Sequence, residues 1–435
     1  MSRSISGTPL ARRTVLGAGA ASAAAFLAAC SSGGNGGSSS GNGEGGELKL
    51  LLIGGSPELD TFVNETLLPE FADSSGYTVT LEKVDWGSAF QQVTTAAGTG
   101  TLADVLLIGG IWTAPLADRG ALLALDDHVA SWGDLDSFYP GMIEDGAFDG
   151  SQYALPLYSD TRTTLYRADL LEQAGADPSS LPRTWEEFRS LAEQIQAARV
   201  EGVTAAVDWG QDQSIGLQQT FAQLLLQAGG TYYDESGKAQ FSSEPGVLAL
   251  EYLTGFYRDG LADVNMQDQG TGPRALVAGQ AAMTYTGTFT VRNAVDNAPE
   301  IVEQLVAGPP LIGPSGSPVT SAWINKLGIA ASTDDPDGSW QLVEHMLSRA
   351  NVEQLDALFG GLPARSDLTD AEYLTDTPPG FIEAAEHIVP QPAHPNMLQI
   401  APEINTAMQD AIRNPDDVER VLADLDATID EINGV

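Results

Sequence analysis

The sequence predicts an α/β protein built as two domains. Three observations carry this. Strand and helix patterns alternate from Leu48 to Ile108, and a second alternating unit starts after Tyr153. The 435 residues also exceed the roughly 250–300 at which a single core stops growing. Apolar residues make up 43% and charged residues 18%, which suits a packed core and not a disordered chain.

The elements follow in order. Leu48 to Ile53 is a short apolar run, a buried strand. Pro57 opens a helix with Leu59, Phe62, Val63, Leu67 and Phe71 at helical spacing, and Gly76 stops it. Tyr77 to Val84 alternates as a strand, Ala89 to Ala97 is helical, and Asp104 to Ile108 is another buried strand. This order implies a largely parallel sheet with helices on its faces. Ligands of such sheets bind beyond the carboxyl ends of the strands. Those ends are Gly54-Gly55-Ser56, Asp85-Trp86-Gly87 and Gly109-Gly110-Ile111-Trp112.

In the second unit Thr164 to Arg167 reads as a strand, and Thr184-Trp185-Glu186-Glu187 as a capping box that starts a helix. Helices are expected over Ile215–Ala228, Pro245–Arg258 and Arg274–Ala278, then a strand over Ala281–Tyr285. Gly308 to Val319, rich in Pro and Gly, is a crossing segment. Helices fill most of Ser339–Phe359, Glu403–Arg413 and Pro415–Ile432.

Met1 to Ala29 has the pattern of an export signal, with Arg3, Arg12 and Arg13 before an apolar run from Val15 to Ala29. At about 1.5 Å per residue that run spans roughly 22 Å, short of the roughly 30 Å hydrocarbon core. It ends in Leu27-Ala28-Ala29-Cys30, which resembles the bacterial lipobox, and Cys30 is the lone cysteine of the chain. The resemblance implies cleavage before Cys30 and a diacylglyceryl anchor, since stable anchoring takes more than one acyl chain. Arg12-Arg13-Thr14-Val15-Leu16 resembles a twin-arginine export signal, although Ala11 and Val15 depart from its usual residues; general secretion stays open. Ser31 to Gly46, of Gly, Ser, Asn and one Glu, is a flexible linker with a reach on the order of 20–24 Å.

The balance of 20 Lys and Arg against 59 Asp and Glu gives a formal charge of −39. Such a chain repels nucleic acid and anionic lipid, so membrane attachment must be covalent. One cysteine excludes an intramolecular disulfide and any site of several thiolates. Thr333-Asp334-Asp335-Pro336-Asp337-Gly338 with Glu344 nearly fits a calcium loop, but Thr333 holds the first ligand position; it reads as a polar cap of the next helix. His128, His345, His387 and His394 lack ligand spacing, and no cofactor or metal is expected. Gly37-Ser38-Ser39-Ser40-Gly41 matches a hydrolase elbow only in letters, without a flanking strand or helix.

Four segments in order resemble one family. They are Leu102-Ala103-Asp104-Val105 with Leu116 to Leu122, Tyr153 to Leu157 with Leu165 to Leu171 and Pro182 to Phe188, Gly279 to Met283 with Gly287, and Gly361 to Arg365. Behind a lipobox and linker, the chain resembles the extracellular solute-binding proteins of ABC sugar importers, in the maltose-binding-protein-like group. The resemblance covers nearly all of Leu48 to Val435. It implies a periplasmic-binding-protein-like fold, in which two α/β lobes, each a mostly parallel sheet flanked by helices, close about a hinge on a carbohydrate. It implies lobes made of 47–159 plus 326–372 and of 160–325 plus 373–435, behind the signal (1–29) and the lipidated linker (30–46). The implied partners are transmembrane permease subunits with a cytoplasmic ATPase. A monomer on the extracytoplasmic face of the membrane is expected, and no catalysis.

A pyranose shows apolar C–H faces and a rim of hydroxyls, so its site should mix aromatic faces with carboxylates, amides or Arg. Trp86, Trp112, Trp209 and Trp323 stand on loops or strand ends and are candidate platforms. Trp185 and Trp340 open or occupy helices and read as core, and Trp132 fits either role. The resemblance strengthens Trp112 and Trp323, and adds Tyr285 and Arg365; the other reading of Arg365 is an ion pair with Asp367. Asp160 lies at a lobe crossing and completes the candidate set. Asp85, Asp208, Ser56 and Glu58 are weaker polar candidates. The competing readings are the same fold binding a glycerophosphodiester, peptide or polyamine, and a secreted glycoside hydrolase, which needs two opposed carboxylates.

Overall fold

The computed structural model describes residues 45–210, 216–266, 273–375 and 377–435. The export signal, Cys30 and nearly all of the linker lie outside the described residues.

Apolar runs set the strands. The chain lays down β1 (Glu47–Ile53), β2 (Thr78–Val84), β3 (Val105–Ile108), β4 (Ala154–Thr161) and β5 (Thr163–Arg167). It continues with β6 (Val207–Asp208), β7 (Met283–Thr286), β8 (Leu305–Ala307) and β9 (Thr320–Ile329), and ends with β10 (Leu362–Pro363) and β11 (Ile388–Val389). One sheet has the order β10-β4-β9-β3-β1-β2, with β11 on the start of β9; the other has the order β8-β5-β7-β6.

The sheets are mixed rather than mostly parallel. β1 is parallel to β2 and to β3, as the crossover helices require. β9 arrives from the second sheet and lies antiparallel to both β3 and β4. In the second sheet β5 is antiparallel to β8 and β7, and only β6 is parallel to β7. A strand that enters from the other sheet comes from the opposite end, so its direction is set by the crossing.

The chain passes between sheets at three places. Arg162 alone separates β4 from β5. The Pro- and Gly-rich stretch 308–319 links β8 to β9. Phe381 and Ala384 bracket the last crossing on one side, Phe381 in the first core, and Met397 lies in the second. Tyr373 packs against the first core, and its hydroxyl donates to Asp356 at 3.3 Å.

Helix ends follow their capping residues. Ser56 accepts the Leu59 N–H at 3.2 Å with Pro57 at the first helical position, and Gly76 closes the segment at φ 82°. A π-turn over Val63–Leu67 interrupts that helical stretch. Thr184 and Glu187 form the reciprocal capping box. Helix Trp86–Thr99 starts three residues earlier than its apolar pattern. Arg274–Ala278 closes only one turn, with the Ala278 N–H on the Arg274 carbonyl at 2.8 Å. The Ser339–Phe359 stretch is two helices, Pro336–Met346 and Arg349–Phe359. Helix Met397–Arg413 starts before Pro402, because Met397, Ile400 and Ala401 extend its buried stripe.

The capping box yields a direct test. Thr184→Ala leaves the Glu187 N–H without its acceptor, and should lower stability by about 1 kcal/mol in urea denaturation, with Thr184→Ser retaining most of it.

Candidate functional site

Three indoles gather around the loop that follows β3. Gly54 and Gly55 follow β1 with φ of 66° and 93°, a conformation that favours glycine. A Cβ on Gly54 would stand 2.7 Å from Trp86 Nε1. After β3, a Cβ on Gly109 would lie 3.0 Å from the Trp86 ring and 3.4 Å from that of Trp112. A Cβ on Gly110 would lie 3.0 Å from Trp323 Cδ1. Backbone without side chains thus lets Trp86, Trp112 and Trp323 gather around one loop. Trp86 meets Trp112 edge-on at 5.9 Å, and Phe90 backs Trp112 at 5.4 Å. Trp112 and Trp323 are buried, whereas Trp86 is 43% exposed and offers its ring to solvent.

A buried cation holds that loop. Lys326 on β9 is fully buried, yet its ammonium donates to the Gly110 carbonyl at 2.8 Å and pairs with Asp145. Burial pushes the Asp145 carboxyl above its ordinary range, and the Lys326 ammonium opposes that shift. Buried pairs add little stability over apolar residues of the same volume. Here the pair fixes where Gly110, and so the tryptophan loop, can stand.

Asp160 on β4 lies opposite Trp323 on β9 in the ladder. Arg162 grips one oxygen of Asp160, with Nη2 at 2.8 Å and Nε at 3.2 Å from Oδ2. The Arg162 guanidinium covers the Trp323 ring at 4.7 Å and approaches the Phe289 ring at 5.1 Å. Phe289 belongs to the helix that follows β7, so the two sheets meet on this guanidinium. Gly287 also presses here: a Cβ on it would lie 1.8 Å from Asp160 Oδ1, so only glycine fits. Asp160 Oδ1 and Trp323 Nε1 are buried without a hydrogen-bond partner.

Of the residues expected at the site, Trp86, Trp112, Trp323 and Asp160 are brought together. Trp209 is not among them. It sits in the second core, 5.6 Å from Phe188 and 5.3 Å from Phe256. Tyr285 is also buried; its hydroxyl donates to Gln223 Oε1 at 2.9 Å and meets Ser321 Oγ at 2.8 Å, which ties the second sheet to β9. Arg365 is engaged inside the first core. Nε donates to Asp367 at 2.9 Å, Nη1 to Asp134 and to the Leu347 carbonyl, and Nη2 to Asp367 and Asp134. The ion pair with Asp367 is therefore the reading of Arg365 that the geometry carries.

Trp185 and Trp340 are core, Trp185 stacked on Tyr252 at 4.2 Å, and Trp132 packs edge-on against Trp340. Asp85 precedes the Trp86 helix without capping it, and Asp208 accepts the Gly210 N–H at 2.9 Å. The backbone N–H at the helix start holds the Glu58 carboxyl below its ordinary range, with Ser56 adding to the effect. Asp335 accepts the Gly338 N–H at 2.9 Å as a helix cap, and its other oxygen accepts the Tyr77 hydroxyl at 2.8 Å. Among the described residues no group of three or more His, Cys, Asp or Glu is placed to hold a metal ion.

Sequence reasoning missed Arg162, Phe289 and Lys326. The signal for Arg162 was present, as a basic residue in the polar interlude Ser159 to Thr164 between two apolar runs. Lys326 carried one as well, a lone charge in the apolar run from Ala322 to Ala331.

The bacterial extracellular solute-binding protein family matches residues 43–353, and the chain belongs to that family. The lactose-binding protein of Rhizobium radiobacter is 25% identical over 236 residues, 52% of this chain and 52% of its own. The sugar-binding protein MalE of Xanthomonas citri shares the fold with a TM-score of 0.77 at 22% identity, over 89% of this chain and 97% of its own. The GacH receptor of Streptomyces glaucescens, solved unliganded and with acarbose, gives 0.75 at 21%, over 89% and 98%. The fold is the two-lobe α/β fold of periplasmic binding proteins, and the chain is a solute-binding component of the ABC-transporter type. No helix among the described residues is long and apolar enough to cross a membrane.

The Arg365 clamp predicts a pH signature. Arg365 hydrogen bonds hold the Asp367 carboxyl below its ordinary range, against the opposing effect of burial. A carboxylate with a lowered folded pKa stabilises above its unfolded value of about 3.9 and loses this as pH falls through the folded value. Arg365→Ala should cost about 2 kcal/mol or more in urea at pH 7. The gap from wild type should narrow below pH about 3.9.

Proposed function

We propose that this protein captures a carbohydrate, a mono- or oligosaccharide, between its lobes and delivers it to the transmembrane subunits of an ABC permease driven by a cytoplasmic ATPase. The guest leaves unaltered, so the protein is not an enzyme. A diacylglyceryl anchor at Cys30 holds it on the extracytoplasmic face, with the linker to Gly46 as tether. The hinge lies at the three crossings, at Arg162, at 308–319 and between Ala384 and Met397.

The observation that carries this reading is the convergence of Trp86, Trp112 and Trp323 around the loop that follows β3, with Asp160 opposite Trp323. Indole faces suit the C–H faces of a pyranose, and a carboxylate suits its hydroxyl rim. A lactose-binding protein, MalE and an acarbose-bound receptor among its relatives support the same ligand class. A glycerophosphodiester is the second reading. It is favoured by Arg162 and Arg274, whose guanidinium carbons lie 5.1 and 4.4 Å from the Phe289 ring. The Asp160 carboxylate neutralises Arg162, which weighs toward a neutral guest.

A thermal-shift and calorimetric screen across mono- and oligosaccharides and glycerophosphodiesters tests the reading. One saccharide should bind one to one and be recovered unchanged by chromatography. Binding of the phosphodiester alone, or release of a cleaved product, contradicts it. Against the saccharide that binds, Trp86→Ala should weaken affinity at least tenfold, roughly 1.4 kcal/mol, because the half-exposed ring is the open platform. A folded variant with unchanged affinity removes Trp86 from the site.

A further inference from the structure

Arg162 is 8% exposed, and its side chain makes hydrogen bonds to Asp160 Oδ2 alone. A guanidinium has five N–H donors in a fixed fork. Nε and Nη2 face Asp160, which leaves Nη1 and the outer edge of Nη2 without an acceptor. Trp323 Nε1, on the ring beneath, is a buried donor without a partner, whereas no nitrogen of Arg162 is both buried and unpartnered, so its free N–H edge reaches open space. Against these donors stands one acceptor without a partner, Asp160 Oδ1. A buried donor left unmatched, here Trp323 Nε1, carries a desolvation penalty.

The apolar contacts add a constraint. The guanidinium is fixed by the ring of Trp323 on the first sheet and that of Phe289 beside the second. The Asp160 carboxylate cancels its charge. A neutral group rich in acceptor lone pairs, with a hydroxyl to give back, matches this edge; a second cation or an apolar group does not.

We infer that Arg162 is a specificity-determining ligand contact: its outer N–H edge, with Trp323 Nε1–H, donates to hydroxyl oxygens on one edge of the saccharide, and Asp160 Oδ1 accepts a hydroxyl proton in return. The inference rests on the carbohydrate reading above. It assigns Arg162 a share in choosing among sugars that differ at one hydroxyl, beyond its place at the crossing between β4 and β5. Opening of the lobes, which lifts Gly287 and Phe289 from Asp160 and Arg162, gives the guest access.

The test is a calorimetric cycle between two variants and a set of monodeoxy analogues of the saccharide that wild type binds. Arg162→Met keeps an apolar stem on Trp323 and removes every donor; Arg162→Lys keeps the charge and removes the fork. Circular dichroism and melting temperature establish that each is folded. Wild type should lose at least tenfold in affinity for one or two of the deoxy analogues. Both variants should bind the parent at least tenfold more weakly, and should not distinguish the parent from those same analogues. A merely structural role would weaken all analogues equally. Equal weakening, or parent affinity unchanged in the folded variants, overturns the inference and leaves the carbohydrate reading standing. Wild type that binds no saccharide overturns both.

Discussion

The site depends on close contact between bare backbone and indole rings. Trp86, Trp112 and Trp323 come from three separate places in the chain; a Cβ at Gly54 would collide with Trp86, one at Gly110 would crowd Trp323, and one at Gly109 would crowd Trp86 and touch Trp112. At Gly54 two demands coincide, since its φ of 66° already favours glycine. The loops are therefore shaped by what they lack. Lys326 and Asp145 complete the constraint from below, because the ammonium bonded to the Gly110 carbonyl stops the loop from relaxing away from Trp323. Burying such a pair is justified by position rather than by net stability.

The scarce cations of a chain with formal charge −39 are placed with the same economy. Arg365 knits Asp134, Asp367 and the Leu347 carbonyl inside the first core. Arg162 lies between Trp323 and Phe289, at the one-residue junction of the two sheets. The Tyr285 hydroxyl, the Gln223 amide oxygen and Ser321 form a hydrogen-bonded knot at the adjacent crossing. Arg162, Tyr285, Gln223 and Ser321 thus gather their polar groups where the chain changes sheets, while Arg365 and Lys326 are buried elsewhere with carboxylate partners.

Much of this was legible in the sequence. The apolar runs of β1 and β3, the Ser56 and Thr184 caps and the Gly76 stop are local signals, and each marks the element it should. That Trp86 and Trp112 are neighbours was readable because both follow the carboxyl ends of β2 and β3, the two strands that flank β1. What failed to show depends on distant partners. The direction of β9 follows from where it enters the sheet, and the Arg365–Asp134 pair spans 231 positions. Trp209 stands on a short connection after β6 and Tyr285 on β7, and both rings turn into the second core. Arg162 carries a cation–π contact to a tryptophan far along the chain, which no periodicity encodes.

The most direct test is a crystal structure of the protein with its bound saccharide. A sugar ring lying between the lobes, its C–H face on the Trp86 indole and a hydroxyl within hydrogen-bond distance of Asp160, is the predicted result. A ligand held elsewhere, with the three indoles closed on one another and untouched, would contradict it.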